Sequence, residues 1–532
     1  PWPSVGQHSP PSLPRHATRL INTRETDPAP AASPSTCPSL FPLHRGSGAA
    51  RSRRAIVDGV TALDGAFGEV DRVAAAFVAA GGAPGLAYGI VQHGAVLHSG
   101  GVGSTRAGGP VPDRDSVFRI ASMTKSFTAA AILRLRDDGR LALDDPVRAH
   151  LSAFATVAPA TPDSPELTIR HLLTMSAGLP TDDPWADRQE SMTPAVFDRF
   201  LAGGLRFTAA PGIEFAYSNL GFTLLGQIVS TLTGEPLTEV VRTLFLEPLG
   251  MAASAFAAET VDPARLVVGH HRDAGGWVPE AFTAPGVFSA MAGLFSSVGD
   301  LASWVGWFTD AFPPGGAAGP PATPPLSRSS RREMQQLHRA LSASAREQFG
   351  FTAPAGYGYG LFVEEDASGT VVGHPGGYPG FGSSMRWQPA SGLGVVVLGN
   401  GRYTAATVLS RQLLQIVLDE APALPVVAPW PETLAARENV ERLLAEWGDS
   451  LADALFAENM DLDLPRGQRR QQARDAAAAV GFTTPSLRTP TVLTPAAVRW
   501  ECVGTRGSLQ VEISLTPQQP PLIQTLLIEV AA

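Results

Sequence analysis

The sequence predicts an α+β protein built on an antiparallel sheet, followed by a second, smaller α+β block. Strand-like apolar runs cluster at residues 85–100 and again at 357–400, while the stretch between them carries helical spacing. Early and late strands must therefore pair across a helical insertion. After the Pro-rich residues 422–431, positions 432–480 read as helical and the chain up to Val530 alternates in twos (Val498, Trp500, Cys502; Leu509, Val511, Ile513). At 532 residues the chain exceeds what one core supports, so two or three domains are expected.

Residues 1–55 are rich in Pro, Ser and Arg and lack apolar periodicity, which predicts a disordered, dispensable tail, with an Arg-rich transit segment as the alternative. Residues 56–421 form the expected main domain. A helix over Gly59–Ala80 (Val60, Leu63, Phe67, Val70, Val73, Phe77) stops at Gly81-Gly82, and strands at 85–91 and 95–100 join at His93-Gly94. A further helix begins at Ser122 and ends near Asp137-Asp138-Gly139. Leu167–Pro180 reads as a capped helix with a Gly/Pro loop, and Pro211–Asn219 as a turn leading into an apolar helix from Leu220. Gly293–Ser297 precedes a helix at 298–308, and 312–325 is a surface insertion. Strands follow at 359–363, 369–377, 382–387 and 393–400, then a helix at 404–419. Residues 422–431 are the linker and 432–532 the small C-terminal α+β domain.

A net charge of −9 argues against nucleic acid or an anionic membrane as an obligate partner. The two cysteines, Cys37 and Cys502, offer no disulfide framework. Without an apolar run long enough for a bilayer or an export signal, a cytoplasmic location with no integral membrane segment is expected.

One compositional oddity stands out. Of the 40 Lys+Arg residues only Lys125 is a lysine. A guanidinium stays protonated at any working pH, whereas a desolvated amine can lose its proton. Lys125 lies three residues after Ser122, on the same helical face, as a base beside a serine nucleophile would. Ser-x-x-Lys alone is a weak pattern that a capped surface helix also produces. The helix N-terminus adds free N–H groups that favour negative charge at Ser122.

Four pieces together resemble the serine β-lactamase and penicillin-binding protein superfamily, in its class C-like branch: Ser122-Met123-Thr124-Lys125, Tyr217-Ser218-Asn219, His374-Pro375-Gly376 and the Arg170–Pro180 stretch. The likeness spans about residues 60–420. It implies a β-lactamase-like antiparallel sheet flanked by helices, with an all-helical subdomain. It also implies Ser122 as nucleophile, Lys125 as its base, Tyr217 as second base or proton shuttle, and Asn219, His374 and Gly376 as substrate-binding residues. The N–H groups of Ser122 and Gly377 would form the oxyanion hole. His374 departs from the Lys-Thr-Gly form, and a mostly neutral His attracts a substrate carboxylate poorly. Gly376 would allow a substrate to approach the strand backbone closely.

The resemblance therefore implies a serine hydrolase that forms an acyl-enzyme and cleaves an ester, amide or peptide of small size, as a carboxylesterase or D-amino-acid peptidase would. A β-lactamase or D-Ala-D-Ala carboxypeptidase ranks second, and a catalytically silent penicillin-binding or sensing protein is the reading from another class. No cofactor and no metal site are expected; the oligomeric state is left open. Gly448-Asp449-Ser450-Leu451 spells another esterase signature but sits in helical sequence near the end. His270-His271 and Asp300 lack ligand spacing, and Asp144-Asp145 and Asp182-Asp183 read as loop and cap acids.

Overall fold

The computed structural model describes residues 48–312, 325–366, 368–421, 428–483 and 488–531, with the side chains of 48–62 left aside. Most of the tail, the insertion at 312–325 and the linker fall outside these residues. The chain divides at Arg54 into two units, and the second, Ala55–Ala532, is compact and carries both large sheets.

The main sheet has eight antiparallel strands in the order Ala95–Gly103, Gly85–Gln92, Leu393–Gly399, Phe381–Trp387, Gly369–Tyr378, Phe362–Asp366, Ala355–Tyr357, Arg339–Ala340. Gly85–Gln92 pairs with Leu393–Gly399 in the register Leu86↔Gly399 to Gln92↔Leu393, joining strands that are some 300 residues apart in sequence. Both faces of these central strands are covered. Leu86, Tyr88, Ile90, Val395 and Val397 pack under Phe67, Val70, Leu409 and Leu413, from the helices Gly48–Ala79 and Ala406–Glu420. Ala87, Val91, Val396 and Leu398 point into the larger core on the other side. Strict alternation of direction with burial on both sides explains why Leu393–Leu398 reads as an unbroken apolar run.

The helical insertion supplies that larger core through Thr124–Asp137, Asn219–Thr233 and Val298–Thr309. A two-residue ladder, Phe118–Arg119 with Phe295–Ser296, ties the start of the first helix to the segment before the last. Residues 431–480 form four helices against a four-stranded antiparallel sheet, and their hydrophobic cluster runs from Ala436 to Leu526. Trp500 is buried in that cluster and Trp447 packs on it.

Two expectations are corrected and one element is added. The first helix starts at Gly48, inside the expected tail, because Ala49 to Ala55 is a run of good helix formers. Ser122 lies in a 3-10 turn, Ala121–Met123, and the α-helix begins at Thr124. Ala121 takes the left-handed conformation (φ +49°), so the chain leaves the Phe118–Arg119 ladder by a sharp turn rather than a gradual helical entry. A hairpin, His270–Asp273 with Gly276–Pro279, occupies the stretch where His270-His271 had no assigned structure.

Candidate active site

Ser122 sits where three elements meet. Its turn is held from behind: the Ile120 N–H donates to Leu294 O (2.9 Å), and Ser383 Oγ donates to Ile120 O (2.7 Å). Thr124 Oγ1 donates to Ala121 O at 2.7 Å and accepts from the Leu294 N–H at 3.2 Å. Left-handed Ala121 stores strain of order 1–2 kcal/mol, which this cage of hydrogen bonds sustains.

Lys125 is fully buried. Its Nζ lies 2.9 Å from Ser122 Oγ, 2.7 Å from Asn219 Oδ1 and 3.0 Å from Met291 O. All three partners are neutral acceptors. Burial lowers the lysine pKa to about 8, opposed by the carboxylates of Asp183, Asp187 and Asp182. As an ammonium the group satisfies all three acceptors. As an amine it still donates to Asn219 and Met291, and its lone pair faces the Ser122 hydroxyl.

Asn219 opens the helix Asn219–Thr233, whose N-terminus is capped twice. Ser218 Oγ accepts from the Gly221 N–H (3.1 Å), and the Asp182 carboxylate accepts from the N–H groups of Asn219 (2.7 Å) and Leu220 (2.9 Å). Asn219 Nδ2 donates to Asp183 Oδ1 at 2.6 Å, which turns its carbonyl towards Lys125. The Tyr217 ring lies 4.9 Å from Lys125 Nζ and 5.4 Å from the Phe349 ring. Burial raises its phenol pKa well above the usual value, with Tyr357 and Asp183 adding to the rise and a hydrogen bond to Ser122 opposing it.

A cavity of about 130 Å³ opens here, lined by Ser122, Tyr217, Pro375, Gly377, Phe349, Asp183, Asp187 and Tyr403. Gly369–Tyr378 pairs with Phe362–Asp366 only as far as Gly373, so among the described residues the edge at 374–378 has no strand partner on the side where it meets the Ser122 turn. A larger cavity of about 520 Å³ between Pro194 and Ala290 contains no lysine or histidine.

The structure thus brings together Ser122, Lys125, Tyr217, Asn219 and Gly377. His374 and Gly376 are placed differently from the substrate-facing positions expected of them. The His374 side chain is buried away from the cavity lining: its Nδ1–H donates to Pro375 O (2.6 Å), and its Nε2 accepts from the Tyr357 hydroxyl (3.0 Å). Burial lowers its pKa to about 3, so it is neutral. A Cβ on Gly376 would lie 2.4 Å from Ile120 O and 2.2 Å from Ser383 Oγ. The missing side chain therefore lets the strand approach the serine turn, not a substrate.

Sequence reading gave Asp183 a loop or cap role and passed over Asp187, Phe349 and Tyr403. The one available signal was local: Asp182, Asp183 and Asp187 put three acids within six residues after the Gly178–Pro180 loop. Asp144 and Asp145 do remain loop acids, bound to Arg170 and to the Ala142 N–H.

A serine and a desolvated lysine at the edge of an antiparallel sheet, beside a helical insertion, define a β-lactamase-type serine hydrolase fold. The Beta-lactamase family model matches residues 70–418, and the chain belongs to that family. It is 27% identical over 371 residues to the D-alanyl-D-alanine-carboxypeptidase/endopeptidase AmpH of Escherichia coli (strain K12), covering 68% of this chain and 91% of AmpH. Protein flp of Staphylococcus aureus (strain COL) is 29% identical over 325 residues, 60% of this chain and 59% of that protein. The octameric penicillin-binding protein homologue from Pyrococcus abyssi superposes with a TM-score of 0.58 at 22% identity, covering 87% of this chain and 99% of that one, and shares the fold.

Proposed function

We propose that the protein hydrolyses small esters or amides through an acyl-enzyme on Ser122. The observation that carries this reading is the buried Lys125 amine, 2.9 Å from Ser122 Oγ and bonded only to neutral acceptors. Lys125 takes the hydroxyl proton as Ser122 Oγ attacks the carbonyl carbon. The N–H groups of Ser122 and Gly377 receive the oxyanion. Tyr217 relays the hydroxyl proton: it donates to the departing alcohol or amine as the C–O or C–N bond breaks and takes the proton held by Lys125 in the same step, so it ends as the neutral phenol that burial favours and Lys125 returns to the amine. Water then attacks the acyl-enzyme, Lys125 accepts its proton, and the carboxylic acid leaves with Ser122 restored.

Esterase or amino-acid amidase chemistry is favoured over carboxypeptidase or β-lactamase chemistry, because among the described residues no Arg, Lys or His lines the cavity to hold a carboxylate. Residues 432–532 serve as a separate module, supported by a hydrophobic cluster confined to 436–526. The test is p-nitrophenyl acetate hydrolysis with fluorophosphonate labelling. Ser122→Ala should lose at least about 10⁴-fold in rate, and the label with it. Equal rates and equal labelling would refute the reading.

A further inference from the structure

The polar side chains that line the cavity beside Ser122 have partners, but two of them, the carboxylates of Asp183 and Asp187, each have only one oxygen bonded among the described residues. Asp187 closes the short helix Asp183–Ala186 and is only 5% exposed, yet it lines the cavity. One of its oxygens accepts from the Tyr403 hydroxyl at 2.8 Å. The other has no hydrogen-bond partner among the described residues. Asp183, on the same wall, spends one oxygen on Asn219 Nδ2. Lys125 acts on both carboxylates through space, but its three N–H groups are taken by Ser122, Asn219 and Met291.

Tyr403 is built to hold Asp187 in place. It adopts the left-handed conformation (φ +50°), and its ring lies against Gly377, where a Cβ would come within 2.8 Å of Cδ1. The strand edge, the tyrosine and the carboxylate therefore form one continuous wall of the cavity that Ser122 also lines. Desolvating a carboxylate with no cation in direct contact is costly. Here burial pushes the Asp187 carboxyl up to about 7, against the Tyr403 hydrogen bond. A cation delivered into the cavity would relieve that cost, and an anion would increase it.

We propose that Asp187, held by Tyr403 and flanked by Asp183, is a cation-accepting subsite, so that the ester or amide cleaved at Ser122 carries an ammonium group, as an aminoacyl compound with a free amine does. This rests on the serine hydrolase reading. A cavity of about 130 Å³ suits an unblocked amine on a short side chain.

The experiment compares alanine p-nitroanilides, in both enantiomers, bearing a free ammonium, an N-acetyl or an N-succinyl group, with p-nitrophenyl acetate as the uncharged reference. Wild-type kcat/KM should favour the free ammonium over the N-acetyl form by at least about tenfold, with the N-succinyl form slowest. Asp187→Asn should bring the ammonium-to-acetyl ratio towards one, and Asp187→Glu should keep it above one. The ratio cancels any general loss of activity in a variant, and the wild-type ratio stands even if a variant fails to fold. Ser122-dependent hydrolysis of p-nitrophenyl acetate with no ammonium preference, or with no anilide cleaved, overturns the subsite and leaves the hydrolase reading intact. Hydrolysis of p-nitrophenyl acetate that survives Ser122→Ala overturns both.

Discussion

Two buried cations lie six residues apart on one turn of chain, and they are held in opposite ways. Arg119 donates to the Glu190 carboxylate and to Thr283 O (3.1 Å), and its guanidinium centre sits 4.4 and 4.5 Å from the Tyr378 and Phe295 ring centres. Glu190 also accepts from the Tyr378 hydroxyl at 2.6 Å, so both charges are closed in. Lys125 meets no carboxylate directly; Asn219 stands between it and Asp183. The first arrangement fixes a charge where it cannot move. The second leaves a charge that is easily lost, which is what a base requires. Burial alone does not separate a structural cation from a reactive one; the partners do.

The same substitution at both positions should break this comparison apart. Lys125→Met should lower kcat for ester hydrolysis about 10³-fold, the scale of a lost general base, while denaturant titration shows far less change than at Arg119. Arg119→Met leaves Glu190 buried without its partner and should cost about 3–5 kcal/mol in the same titration, with activity following the folded fraction. A Lys125→Met protein that keeps wild-type kcat would remove the distinction. A smaller effect is expected at the strand edge between the two cations. Gly376→Ala must push the strand off Ile120 O and should cost about 1–3 kcal/mol, with kcat falling because Gly377 shifts with it.

The grouping of Ser122, Lys125, Tyr217 and Asn219 was legible in the sequence because its parts are local. Ser122 and Lys125 are one helical turn apart, so spacing and the lone lysine expose them, whereas Tyr217 and Asn219, beside a helix cap, entered through the family resemblance of Tyr217-Ser218-Asn219. That early and late strands pair was legible from two separated strand clusters, but that 85–92 meets 393–399 was not. Arg119–Glu190 and Asp187–Tyr403 span 71 and 216 residues and belong to no spacing rule; only the fold brings them together. His374 and Gly376 were found by pattern, but their directions were not. Strand alternation and the approach of Ile120 decide those, and both depend on the completed sheet. The Ser122 turn was misread as an α-helix for a similar reason, since positive φ at Ala121 has no signature in an alanine.

The central claim is that Lys125 is a base because it is desolvated without a carboxylate partner. The chain contains a single lysine, so lysine labelled with ¹³C at Cε gives one side-chain resonance. Its titration should have a midpoint near 8, and ester hydrolysis should rise with pH through the same range as the neutral amine forms. A midpoint at the ordinary lysine value of about 10.4, or activity that falls as pH rises through 8, would contradict the account.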